Sequence, residues 1–65
     1  MSITGAIFRP SGELRIIVQT TAANLNSRLR PGETWREVPA GCLNPGEAVP
    51  ALASLPPHPD LVEPV

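Results

Sequence analysis

The sequence predicts an all-β fold: a small antiparallel β meander of three or four strands, followed by an extended Pro-rich C-terminal arm. Three observations predict it. Two apolar, β-branched runs within Ile3–Thr21 flank the turn-forming triplet Pro10-Ser11-Gly12. Similar turn chemistry returns at Pro31-Gly32-Glu33 and Pro45-Gly46-Glu47, each time ahead of a strand-like run. Six of the nine prolines lie from Pro45 onward, which removes backbone donors from the C-terminal third.

The first strand is expected over Ile3–Phe8, with Ile3, Gly5 and Ile7 on one face and Thr4, Ala6 and Phe8 on the other. Gly5 weakens a strand interior and marks a bulge or a close backbone approach. Pro10 presets φ for a turn and Gly12 accepts positive φ. The second strand runs from about Glu13 to Thr21. Strict alternation puts Leu14, Ile16 and Val18 on the core side and Arg15, Ile17 and Gln19 outside. On that register Ile16→Asp buries an unpaired charge and abolishes folding or assembly.

Ala22–Arg30 is ambiguous. Leu25 and Leu29 are spaced i, i+4, but Asn24, Asn26 and Ser27 are poor helix formers, so a polar loop with one helical turn is expected. Glu33–Pro39 reads as a third strand, Ala40–Gly46 as a long turn, and Glu47–Leu52 as a short fourth strand capped by Pro50. Residues 1–52 form the β domain; residues 53–65 form the arm, whose proline density favours a polyproline conformation.

A chain of 65 residues is marginal alone and ordinarily needs a disulfide set, a metal or a partner. Cys42 is the sole cysteine and His58 the sole histidine, so neither an internal disulfide nor a Cys/His zinc site is expected. Association is the remaining device. A net charge of −1 offers no basic footprint for nucleic acid, and no apolar run suits membrane insertion. The N-terminus lacks the pattern of a secretory signal, which points to use without secretion.

Catalytic patterns are weak. Ser54, His58 and Asp60 have the residue types of a triad, but they fall in the Pro-rich arm without a rigid frame, so His58 is read as solvent-exposed. Cys42 has no neighbouring base or cation to activate it. Glu33 and Glu37 are read as solvated. The sequence therefore predicts a non-enzyme with no cofactor, no metal and no small-molecule substrate. Trp35 is either core filler over the hairpin or an interface anchor. The contact candidates are Ile17 on the outer face of the second strand, Trp35, and Leu52, Leu55, Leu61 and Val62 as apolar anchors spaced along an arm that lies on a neighbour.

The order Thr4-Gly-Ala-Ile, Ser11-Gly-Glu-Leu-Arg-Ile, Arg30-Pro-Gly-Glu-Thr-Trp-Arg-Glu-Val-Pro-Ala-Gly and Leu55-Pro-Pro-His-Pro resembles short β-rich structural proteins of tailed bacteriophages from the tail fibre and baseplate region. The resemblance spans roughly residues 3–58. It implies a virion structural or adaptor subunit of the tail, made in the bacterial host cytoplasm, without an active site. Its partners would be other virion proteins, with a homo-oligomer or a larger assembly expected. A capsid decoration or cementing protein, and a small soluble inhibitor or regulatory module, are the alternatives.

Overall fold

The computed structural model describes residues 2–39, 46–47 and 49–63. Its elements in chain order are β1 (Ile3–Phe8), β2 (Leu14–Thr20), α1 (Ala22–Arg28), β3 (Thr34–Glu37) and α2 (Val49–Ser54). The three strands form one antiparallel sheet in the order β2-β1-β3. The expectation of an antiparallel β-rich fold holds. The meander does not, because β3 pairs with β1 rather than with β2.

The first hairpin follows from its turn. Gly12 adopts φ +93° and donates its N–H to the Arg9 carbonyl at 2.8 Å, while Arg9 donates to the Glu13 carbonyl at 2.7 Å. β1 and β2 then run in register from Ile7↔Ile16 to Ile3↔Thr20. Phe8 pairs with Leu14, so Arg15 is an extra residue on β2, a β-bulge. The bulge reverses the phase of the alternation. Leu14 and Ile17 pack with Ala6 and Phe8 on one face, whereas Val18 lies with Ile3 and Ile7 on the other. The expected register is thereby corrected: Ile17 is partly buried, and Ile16 is 36% exposed rather than a core residue.

β2 and β3 are both antiparallel to β1 and so parallel to each other. Parallel strands of one sheet need a crossover of about a dozen residues, and the link 21–33 supplies it, passing over β1. Within the link, α1 replaces the expected loop. Thr21 caps it, its hydroxyl accepting from the Asn24 N–H at 3.2 Å. Leu25 is fully buried and Leu29 nearly so, both against Ile7 and Trp35. This packing outweighs the low propensity of Asn24, Asn26 and Ser27. The close approach also explains Gly5: a Cβ there would lie 2.5 Å from Leu25 Cδ1.

The opposite face is closed by α2, where a fourth strand was expected. Leu52 packs with Ala6, Phe8 and Val38, flanked by Val49 and Leu55. Pro50 stands in the first turn of α2, where its missing N–H costs no helical bond. The result is three layers, α1, sheet and α2, with an apolar cluster on each face. β1 lies between the clusters, and Gly5–Phe8 are all buried. Residues 40–45 of the expected turn Ala40–Gly46, including Cys42, lie outside the described residues.

Candidate contact site at the β3 edge

The site is built where the C-terminal segment turns around the outer edge of β3. Leu55 belongs to the cluster on the α2 face, and Leu61 to the cluster on the α1 face. Residues 56–60 therefore cross from one face to the other beside β3. Three of them are prolines, which have no N–H to offer a ladder and so cannot extend the sheet as a strand.

Polar contacts fix the segment at both ends. Arg36 Nε donates to the Leu55 carbonyl at 2.8 Å, with the guanidinium carbon 5.0 Å from the Phe8 ring centroid. On the other face the His58 ring stacks on Trp35 at 4.6 Å between centroids, with 24° between the planes. His58 Nδ1 accepts the Asp60 N–H at 3.0 Å, which leaves Nε2 to face Glu37 Oε1 at 3.2 Å. Asn26, on α1, closes the arrangement. Its Oδ1 accepts from Trp35 Nε1 at 2.7 Å and from the Val62 N–H at 2.9 Å, and its Nδ2 donates to the Asp60 carbonyl at 2.9 Å. His58 is accordingly half-buried, not solvent-exposed as expected from its proline neighbours.

Between the segment and the strand end lies a shallow groove of about 330 Å³. Pro39, Leu55, Pro56, Pro57 and Pro59 give it apolar walls, and Arg36, Glu37 and His58 line it with polar groups.

The expected contact residues are distributed as follows. Trp35 and Leu52 are buried inside the chain, with 0% and 3% exposure, so they offer no surface in this fold. Ile17, Leu55 and Leu61 are half-buried against the two clusters. Val62 is exposed. Leu55 alone of the six lines the groove. Asn26, Arg36 and His58 were not among the expected contact residues. An Asn in mid-helix carries no sequence signal beyond its low propensity, and only the placement of Trp35 opposite it gives it a role.

Ser54 donates its hydroxyl to the Pro50 carbonyl at 2.9 Å. Glu33, expected to be solvated, is 3% exposed. Its Oε1 accepts the Arg30 N–H at 2.8 Å, and its Oε2 lies 2.8 Å from Arg15 Nε, a charge contact without hydrogen-bond alignment. Burial pushes this carboxyl up; the Arg30 N–H and the Arg15 guanidinium, with the charges of Arg15 and Arg30, outweigh it and hold the group below its ordinary value. Among the described residues no group of three or more His, Cys, Asp or Glu side chains is placed to hold a metal ion, and no helix is long and apolar enough to cross a membrane. No family model matches the chain, and neither does any curated protein or solved structure.

Proposed function

We propose that this chain is a non-enzymatic structural or adaptor subunit of a bacteriophage tail, in the fibre or baseplate region. It works by protein–protein contacts with other virion proteins after synthesis in the host cytoplasm. The observation that carries the contact role is the proline-walled groove beside β3, a rigid apolar recess rimmed by Arg36 and Glu37. Prolines fix the backbone of such a wall before a partner arrives, so little conformational entropy is lost on docking. The tail assignment rests on the sequence resemblance. In this reading the exposed Val62 side chain, on a backbone held by the Val62 N–H to Asn26 Oδ1, is presented to a neighbour.

The experiment is detection of the chain in purified particles with an antibody, after separation of heads from tails. Presence in the tail fraction, lost when Pro57→Arg places an arginine in the groove from its exposed wall, is the expected result. Presence in the head fraction moves the chain to a capsid cementing role. Absence from particles, together with a tight partner in host extract, moves it to a regulatory module.

A further inference from the structure

The two outer strands of the sheet differ in how their edges are covered. The β3 edge is crossed by residues 56–60. Among the described residues no segment crosses the β2 edge.

Val38 donates its N–H to the Thr4 carbonyl at 2.7 Å, so Thr4 faces β3. Alternation along β1 then points Ala6 and Phe8 toward β3, and Ile3, Gly5 and Ile7 toward β2. The β2 partners of those last three are Thr20, Val18 and Ile16. The backbone N–H and C=O groups of Ile17 and Gln19 therefore point outward, away from β1.

Such an edge is a template for another strand unless charge, proline or a covering element blocks it. Here Ile16–Thr20 contains neither charge nor proline. Arg15, the charge that stands at its end, is turned inward to Glu33. Ile16 is one of only two large hydrophobic side chains exposed among the described residues.

We propose that β2 pairs antiparallel with β2 of a second copy, about a two-fold axis at Val18, joining the two three-stranded sheets into one. The side-chain pattern selects a second copy as the occupant. A two-fold interface must complement itself, each residue meeting its counterpart reciprocally. Centred on Val18, the outward-facing Ile17 and Gln19 form bonded pairs with Gln19 and Ile17 of the other copy. Ile16 meets Thr20, and Val18 meets Val18. No charge opposes a like charge, and β-branched residues face one another in the Val18–Val18 and Ile16–Thr20 pairs, of a kind that stabilises sheets. The proposal stands on the sheet edge and is independent of the virion reading.

The test is sedimentation equilibrium of the full chain, with circular dichroism on the same samples, for the wild type and Gln19→Pro. Gln19 is exposed and its N–H points outward, so proline removes a donor from the free edge without breaking a bond to β1. The expected result is a wild-type dimer and a Gln19→Pro chain with an unchanged spectrum whose dimer Kd is raised at least about tenfold. If that variant fails to fold, cross-linking decides. Val18 lies in a non-bonded pair at the axis, where side chains are closest. Val18→Cys on a Cys42→Ser background should form a disulfide-linked dimer on mild oxidation, and Gln19→Cys on the same background should not. A wild-type chain that stays monomeric at all concentrations, a folded Gln19→Pro dimer, or a Val18→Cys chain that does not link would each overturn the proposal.

Discussion

Trp35 Nε1 donates a 2.7 Å hydrogen bond to Asn26 Oδ1, which ties the edge strand to the crossover helix at the residue that also holds the C-terminal segment. The same oxygen accepts the Val62 N–H and the same amide donates to the Asp60 carbonyl. Asn26→Ala leaves the buried indole N–H without a partner and removes the two side-chain bonds to Asp60 and Val62. A loss of about 2–4 kcal/mol is expected in urea unfolding. Asn26→Asp keeps the acceptor and should cost less.

Gly5 and Leu25 are the second relationship that a single atom decides. A methyl at Gly5 would lie 2.5 Å and 2.6 Å from the two Leu25 methyl carbons, and Leu25 is enclosed by Ile7, Leu29 and Trp35. Gly5→Ala should destabilise the fold by about 1–3 kcal/mol through overpacking. Added to Leu25→Ala, which opens a cavity at the same place, it should cost far less. A double-mutant cycle in urea measures that coupling.

Ile7 and Ile16 face each other across β1 and β2, yet their burial differs: 0% for Ile7 and 36% for Ile16. Ile7→Ala should cost about 2–5 kcal/mol, as fully buried truncations do. Ile16→Asp should leave the monomer folded, contrary to the expectation from strict alternation. Thermal melts by circular dichroism separate the two outcomes.

The acid limb of stability should report Glu33. Its carboxyl is held below its ordinary value of 4.5 in the fold. A group whose folded pKa is depressed stabilises the protein above its unfolded pKa, and that contribution is lost as pH falls through the folded pKa. The wild type should therefore lose stability as pH drops below about 4.5, the ordinary value for the unfolded chain. Glu33→Gln should be less stable at pH 7 and show a flatter slope in that acid window. Urea midpoints measured across pH 3–7 (a range of about four units) give both readings.

The hairpin and the glycine turns were legible because their signals are local. Pro10 and Gly12 dictate a turn whatever the rest of the chain does, and Gly32 adopts φ +84° as its turn requires. What was not legible depends on distant contacts. The Arg15 bulge shifts the register because its side chain reaches Glu33 in the link and the Arg28 carbonyl at the end of α1. No local pattern announces such a bulge, and one extra residue reassigns every side chain of β2 on one side of it. α1 forms because Leu25 and Leu29 have a core to enter, so propensity alone misjudged it. The length of link 21–33 was the overlooked clue: it exceeds a hairpin loop and fits a crossover. At the site, Leu55 and Leu61, expected as anchors for a neighbour, instead pack on the chain's own clusters, and His58 was not legible, since its role requires Trp35 beneath it.

The Pro-rich segment closes the β3 edge over Trp35, and among the described residues β2 is the uncovered edge. The most direct measurement is the emission of Trp35, the chain's single tryptophan, in the full chain and in a chain ending at Ser54. The account predicts blue-shifted emission, poorly quenched by acrylamide, in the full chain. Truncation should shift it to the red and raise quenching while the strand signal in circular dichroism persists. Emission already solvent-like in the full chain, or unchanged by truncation, would contradict it.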